Sequence, residues 1–211
     1  MEERERVKEI TRLLKEEYPQ ATIALKFSNP WELLVATILS AQCTDKKVNE
    51  VTEYLFKKYR SVEDYAYAPI EEFEKDIKPT GFYHNKAKNI LAAANMLIEE
   101  FGGQVPRTME DILKLPGVAR KTANIVLGNA YAKVEGMAVD THVFRLSHRL
   151  GFSKEKQAEK VEQDLMRLIP KEDWFSFTYV LIDHGRAICT AKNARCDICV
   201  VNELCPSAFQ V

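Results

Sequence analysis

The sequence predicts an all-α fold, and two features of its 211 residues support that prediction. Apolar residues recur at the three- and four-residue spacing of an amphipathic helix in almost every segment. Proline and glycine separate these segments as short turns, and no stretch shows the alternation of polar and apolar residues that marks a half-buried strand. We find no internal repeat and no low-complexity tract. We therefore expect helices joined by short connections.

The predicted helices follow one another along the whole chain. Near the N-terminus, Asn29 can cap a helix that has Pro30 in its first turn, and Glu32 can bond back to close the cap. This helix runs through an apolar stretch to Leu39. The other helical patterns cover 2–17, a segment carrying Val48, Val51, Leu55 and Tyr59, and 83–100, 108–114, 118–131, 139–150, 155–168 and 174–188.

Composition and charge limit the class of protein. The net charge is −1, from 30 basic and 31 acidic residues, whereas most nucleic-acid-binding domains are basic overall. A local basic strip can still form on a neutral protein. Charged residues follow Met1 directly, and no apolar run approaches the ~20 residues of a membrane helix. We expect a soluble, cytoplasmic protein with no membrane association.

The segment 108–127 predicts two helices joined by a tight turn. Thr108 can cap the first helix, Pro116 must end it, and Gly117 permits unusual backbone angles before a second helix starts near Val118. Such a turn offers unpaired backbone N–H groups to a phosphate. A Pro-Gly turn alone would also suit an ordinary corner between helices. The longer string L-P-G-V-x-R-K-T-A at 115–123 resembles the helix-hairpin-helix element of base-excision DNA glycosylases.

Lys121 and Asp140 are the predicted catalytic pair. Lys121 falls in the first turn of its helix, where the helix dipole and Arg120 disfavour the ammonium form, and a neutral amine is what attack on a sugar C1′ requires. Alone, Lys121 would pass for an inert surface lysine and Asp140 for a helix N-cap. Together they resemble the endonuclease III family, in which this pair marks bifunctional glycosylase/lyases. The family's aspartate caps a helix and stabilises positive charge at C1′ or assists the nucleophile.

Four of the five cysteines form the pattern C-x6-C-x2-C-x5-C near the C-terminus. Four thiolates can bind zinc or a [4Fe–4S] cluster, and disulfides are disfavoured in a reducing compartment. Zinc ribbons usually contain two Cys-x-x-Cys pairs, whereas this array contains one. The resemblance implies a [4Fe–4S] cluster held by Cys189, Cys196, Cys199 and Cys205. We expect the cluster to brace the loop 190–195, whose Lys192 and Arg195 could reach phosphates.

Two further segments resemble the family's duplex-opening loops. Residues 39–45 match L-S-A-Q-x-T-D, in which Gln42 corresponds to a residue that enters the duplex in place of the lost base; from sequence alone Gln42 could also be a solvated polar residue. Phe82 stands where the family usually has leucine, and Ala119 where it usually has glycine. An alanine is acceptable there if the position belongs to a right-handed helical turn. The DNA contacts implied are Gln42, Phe82, Gly117, Ala119, Arg120, Thr122, Lys192 and Arg195.

The resemblance extends from residue 29 to residue 205 and implies a two-lobed monomer. A six-helix lobe of roughly 24–133 would carry the hairpin, and 1–23 with 134–211 would form the cluster lobe. The implied substrate is duplex DNA with oxidised pyrimidines or abasic sites, cleaved through a Schiff base on Lys121 and β-elimination. Three alternatives remain: a monofunctional glycosylase, a non-catalytic damage-binding protein, and an iron–sulfur electron carrier, which would leave the hairpin and Lys121 unexplained.

Overall fold

The computed structural model describes residues 2–211, and in this range the chain forms helices and turns without a strand. The predicted all-α class is therefore confirmed. Short 3₁₀ turns cover Lys78–Thr80, Lys171–Asp173, Cys196–Ile198 and Asn202–Leu204. The α-helices are α1 (Glu3–Glu17), α2 (Pro30–Leu39), α3 (Asp45–Lys58), α4 (Val62–Ala66), α5 (Ile70–Ile77), α6 (Tyr83–Phe101), α7 (Met109–Ile112), α8 (Arg120–Tyr131), α9 (Thr141–Arg149), α10 (Ala158–Leu168) and α11 (Trp174–Ala187).

The chain divides into two compact units, and the first, Ala24–Glu135, is built around α2. Eight of the ten residues of α2 are buried, and this helix packs against α3, α6 and α8. A helix that is apolar on all sides belongs in a core. Its start is capped as predicted, because Asn29 Oδ1 accepts from Glu32 N at 2.9 Å while the Glu32 carboxylate accepts from Ser28 N at 2.6 Å.

The short helices α4 and α5 were not predicted from sequence. The five residues of α4 are held by a capping box in which Ser61 and Asp64 exchange hydrogen bonds with each other's backbone. In α5 the buried side chains are Phe73 and Ile77. Helices of five and eight residues contain at most about two turns, so an apolar repeat of 3.6 residues is barely sampled in them.

The second unit comprises Met1–Ile23 and Gly136–Val211. Its core joins residues from α1, α9, α10 and α11, among them Ile10, Val143, Leu165 and Leu181. Arg6 of α1 donates to Leu150 O at 2.8 Å and to Leu204 O at 3.1 Å, which fastens the first helix to the last residues of the chain. None of the helices in the described part of the chain has both the length and the apolar character needed to cross a membrane.

The hairpin between α7 and α8 differs in detail from its prediction. Val118 does not begin the second helix, because Val118 N donates to Leu115 O within the turn at 3.1 Å and α8 begins at Arg120. Ala119 has φ −102° and ψ 171°, so the expectation of a right-handed helical turn at this position is wrong. Alanine adopts this extended conformation without strain. Gly117 has φ +78°, as the predicted tight turn requires.

Gly117 also lies too close to α6 to accept a side chain. A Cβ atom at this position would stand 2.8 Å from Asn89 Cβ. Gly102, at the end of α6, has a similar φ of +59°, but a Cβ atom there would have no neighbouring atom within 4 Å. The two glycines therefore share the backbone requirement and differ in the space available.

This difference predicts unequal effects of alanine substitution on stability. Gly102→Ala should lower the free energy of unfolding by about 1–2 kcal/mol because of the left-handed backbone alone. Gly117→Ala should cost roughly 1–3 kcal/mol more, because Asn89 or the turn must move to admit the methyl group. Urea denaturation of both variants measures the difference, and equal losses would contradict the close packing of Gly117 on Asn89.

Candidate functional site

The N-terminus of α8 has no side-chain cap, a property it shares with α1, α5, α6, α10 and α11. In α2, α3, α4, α7 and α9, a side chain accepts a hydrogen bond from a first-turn N–H group; the caps are Asn29, Thr44, Ser61, Thr108 and Asp140. The N-cap of α8 is Ala119, which has no acceptor atom on its side chain. The first N–H groups of an α-helix have no acceptor within the helix, and at α8 the N-cap side chain supplies none. An anion such as phosphate is the acceptor that a helix N-terminus favours.

The residues that open α8 add two basic side chains to this end, Arg120 and Lys121. Arg120 is half-buried, Lys121 is exposed and Thr122 is buried. Lys121 is the second residue of α8, as predicted, and its exposure leaves the amine accessible to a bound molecule. The exposed Gly117 precedes them in the turn. The arrangement places an exposed primary amine in the first turn of a helix that follows a tight glycine turn.

Gln42 and Phe82 share an unusual backbone conformation. Gln42 has φ +52° and Phe82 φ +48°, and both side chains are exposed, with Phe82 63% accessible. For residues other than glycine the left-handed region costs of order 1–2 kcal/mol, and such strain concentrates at binding and catalytic sites. Gln42 lies between α2 and α3, and Phe82 forms the N-cap of α6. Sequence motifs located these residues, but nothing in the sequence indicated their strained backbone.

Asp140 is the N-cap of α9, as predicted. Its Oδ1 atom accepts from His142 N and from Val143 N, each at 2.8 Å. Both capping bonds use the same oxygen, so Oδ2 is not needed for the cap. The carboxylate is half-buried. Burial lowers the pKa of the neighbouring His142. Asp140 can therefore cap its helix and still present one oxygen to a ligand.

Two arginines of α9, which sequence reasoning did not single out, hold the cysteine segment. Arg145 donates to Gly185 O at 2.9 Å and to Cys189 O at 3.0 Å. Arg149 donates to Cys189 Sγ at 3.3 Å and to Thr190 O at 2.7 Å. A Cβ atom on Gly185 would stand 3.0 Å from the Arg145 guanidinium, so the close packing favours glycine there. Their spacing of four residues, which places both on one helix face, was the available signal.

The four C-terminal cysteines line one cavity. It encloses about 390 Å³ free of protein atoms, part of it open to solvent, and its wall includes Cys189, Cys196, Cys199 and Cys205. Burial raises the pKa of the Cys199 and Cys205 thiols. Within residues 2–211, no three His, Cys, Asp or Glu side chains form a group that could hold a single metal ion. The four cysteines therefore share one cavity.

A buried histidine, His184, lines this cavity beside Cys199. His184 Nε2 lies 3.5 Å from Cys199 Sγ, and its Nδ1 lies 3.1 Å from the Tyr18 hydroxyl. Burial lowers the pKa of His184 to about 4. The ring is therefore neutral near pH 7 and can donate one hydrogen bond and accept another.

The loop 190–195 carries the two predicted phosphate contacts. Lys192 and Arg195 are both exposed, and Arg195 also donates to Ala187 O. Thr190 Oγ1 accepts from Asn193 N at 3.2 Å and donates to Asn193 O at 2.8 Å, which closes the loop on itself. Contact of Lys192 and Arg195 with DNA stays a prediction.

The predicted site residues are shared between the two units. The unit Ala24–Glu135 contains the hairpin with Lys121, together with Gln42 and Phe82. The other unit contains Asp140, the four cysteines and the loop 190–195. Cys43, the cysteine outside the C-terminal group, is half-buried and belongs to the unit Ala24–Glu135.

Comparison with known proteins identifies the family. The family model of the HhH-GPD superfamily base excision DNA repair proteins matches residues 35–171. The chain is 51% identical over 205 residues to endonuclease III of Synechocystis sp., covering 97% of this chain and 94% of that protein. It is 51% identical over 189 residues to endonuclease III of Bacillus subtilis, covering 89% and 86%. Endonuclease III of Escherichia coli is 40% identical over 197 residues, covering 93% of each chain.

Solved structures agree with this assignment. A non-covalent endonuclease III–DNA complex matches with a TM-score of 0.95 and 43% identity, covering 100% of this chain and 98% of that one. A trapped endonuclease III–DNA covalent intermediate matches with the same score and identity, covering 100% and 99%. A thermostable thymine-DNA glycosylase matches with a TM-score of 0.87 and 25% identity, covering 98% of each chain. The predicted resemblance is confirmed. The chain belongs to the endonuclease III family of helix-hairpin-helix base excision repair proteins and is a DNA glycosylase and AP lyase.

Proposed function

We propose that this enzyme, acting as a monomer, removes oxidised pyrimidines from duplex DNA and then cleaves the strand, with Lys121 as the nucleophile. The observation that carries the proposal is the exposed amine of Lys121 at the start of a helix without a side-chain cap, directly after the Gly117 turn. Backbone N–H groups bind phosphate irrespective of base sequence. A DNA phosphate bound at this N-terminus would bring the adjoining deoxyribose within reach of Lys121.

The reaction requires the damaged nucleotide to leave the base stack, at a cost of a few kcal/mol. Gln42 and Phe82 would occupy the space that it leaves, since both are exposed and stand at breaks between helices. An aromatic ring can insert between bases in place of the leucine usual in the family. The strained backbone of both residues supports a role in which their direction matters more than local stability.

The chemistry then follows from one amine and one carboxylate. The neutral amine of Lys121 attacks C1′, and the bond from C1′ to the base nitrogen breaks, its electron pair leaving with the base, which gains a proton. The attacking nitrogen loses a proton and its lone pair forms a double bond to C1′, while the C1′–O4′ bond breaks and O4′ takes up a proton. The product is a protonated imine between Nζ and C1′ on the opened sugar. Loss of a proton from C2′ sends an electron pair towards C3′ and expels the 3′ phosphate, and water finally hydrolyses the imine. We assign Asp140 to stabilise the positive charge that develops at C1′ or to accept a proton from Lys121.

We infer that the four cysteines hold a [4Fe–4S] cluster. A cube with one iron at each of four corners needs thiolates spread around it, whereas zinc needs all four sulfurs ~2.3 Å from one point. The four cysteines line a common cavity, which supports a group that binds all four thiolates. When bound, the cluster would supply a rigid anchor for the loop 190–195, because Cys189 and Cys196 flank that loop. Arg149, donating to Cys189 Sγ, would offset part of the negative charge.

Replacing Lys121 should abolish the covalent intermediate. Lys121→Ala removes the amine, so reduction with borohydride in the presence of an abasic duplex should trap no enzyme–DNA adduct. Stability should change by less than about 0.5 kcal/mol, because the side chain is exposed. Lys46→Ala is the matched control, since Lys46 is the exposed second residue of the capped helix α3. An undiminished adduct from Lys121→Ala, at saturating protein, would remove Lys121 from the mechanism.

Two substitutions of Asp140 separate its capping role from its chemical role. Asn is as good an N-cap as Asp, so Asp140→Asn should retain stability while lowering the single-turnover rate of base release by about 100-fold or more, the size typical of lost charge stabilisation. Asp140→Ala should lose the rate and also about 1 kcal/mol of stability. Full activity in Asp140→Asn would show that the residue only caps α9.

The metal assignment predicts a definite composition. Protein purified without added metal should contain about four iron atoms and four inorganic sulfides per chain and show a visible absorption band. Cys196→Ser should lower both, while Cys43→Ser should leave them unchanged because Cys43 belongs to the other unit. One zinc atom per chain with no iron would contradict the cluster and favour a mononuclear site.

A further inference from the structure

Lys86 is the lysine that the described residues 2–211 bury. Its side chain is only 4% exposed, and it lies in the first turn of α6. Both features disfavour an ammonium group, because burial removes its hydration and the helix N-terminus carries positive charge. Burial lowers the pKa of Lys86, with Cys43 opposing this in part. A lysine kept in such a place despite its cost calls for a specific role.

The Lys86 ammonium joins two segments that are distant in sequence. Nζ donates to Leu39 O at 2.8 Å and to Thr80 O at 2.9 Å. Leu39 is the last residue of α2, and Thr80 is the last residue of a 3₁₀ turn. Carbonyl groups at the end of a helix lack partners within it and attract a cation. One buried group therefore anchors the ends of both segments.

Each anchored carbonyl lies shortly before a residue with a strained backbone. Gln42 follows Leu39 by three residues, and Phe82 follows Thr80 by two. Between Thr80 and Phe82 stands Gly81, with φ +71°. Lys86 N also donates to Phe82 O at 3.3 Å, so Lys86 contacts the chain on both sides of Gly81. The Lys86 side chain thus fixes one backbone carbonyl shortly before Gln42 and one shortly before Phe82.

We propose that Lys86 is a positioning residue for base extrusion, which holds Gln42 and Phe82 at one fixed separation so that both enter the duplex together. The inference rests on the proposed role of these two residues as fillers of the opened stack. Loops that must become ordered during binding cost affinity, whereas loops already fixed do not. Extrusion of the nucleotide is itself unfavourable. If Gln42 and Phe82 are already ordered before DNA binds, the equilibrium shifts further towards the extruded nucleotide.

A role in core stability alone would give a different result, and two substrates distinguish the two roles. Duplex DNA with thymine glycol requires extrusion, whereas a single-stranded abasic oligonucleotide offers the sugar without a stack to open. The measured quantity is the single-turnover rate of base release on the duplex divided by the rate of borohydride-trapped adduct formation on the single strand. Both rates come from one preparation, so the fraction of folded enzyme cancels from the ratio.

Lys86→Met keeps the length of the side chain and removes both hydrogen bonds. We expect the ratio to fall at least about 10-fold, since small misplacements away from the reacting atoms cost up to ~100-fold in rate. The fluorescence increase of 2-aminopurine placed opposite the lesion should fall in parallel on binding. Lys86→Gln, which keeps a donor but shortens the reach, serves if the methionine variant is poorly folded. An unchanged ratio in either variant would overturn the proposal.

Asn29→Ala provides the matched control for stability. It removes the cap at the opposite end of α2, costs about 1 kcal/mol, and should leave the ratio unchanged. Gln42→Ala and Phe82→Ala test the underlying assumption. If neither lowers the ratio, the proposed filling of the stack fails and the role of Lys86 fails with it. If both lower it and the Lys86 variants do not, the role of Lys86 alone is wrong.

Discussion

The proposed DNA contact of this enzyme depends on a helix that begins without a side-chain cap. Five other helices also lack a side-chain cap, and at α8 the N-cap is alanine, whose side chain has no acceptor atom. In the proposed function this helix end binds phosphate. The packing of Gly117 on Asn89 holds this turn, and Lys121 follows in the first turn of the helix. A backbone contact without base specificity suits an enzyme that must inspect any sequence.

Backbone strain and buried charge occur together in the unit Ala24–Glu135. Two residues proposed to enter the duplex adopt left-handed conformations, and the carbonyls that precede them accept hydrogen bonds from one buried ammonium. Neither feature favours folding by itself. The backbone strain and the buried ammonium are both explained if the segments that carry Gln42 and Phe82 must hold one conformation before DNA binds. Backbone strain persists only where the surrounding structure imposes it.

Sequence reasoning succeeded where the signal is local and failed where it depends on packing. The long helices, the cap at Asn29 and the position of Lys121 follow from periodicity and turn chemistry, which act within a few residues. The sequence predicts a start of α8 near Val118, whereas α8 begins at Arg120 because Val118 N donates to Leu115 O within the turn. Lys86, Arg145 and Arg149 were missed, since each binds carbonyl groups supplied by distant segments.

The bonds from Arg6 to Leu150 and Leu204 have a consequence for biosynthesis. The unit that contains α1 draws its core from both ends of the polypeptide, so α1 has no completed partner surface until α11 and Leu204 have left the ribosome. The unit Ala24–Glu135 is continuous and can close much earlier during translation. The nascent chain must therefore keep α1 available, with its apolar face uncovered, while the segment after it folds.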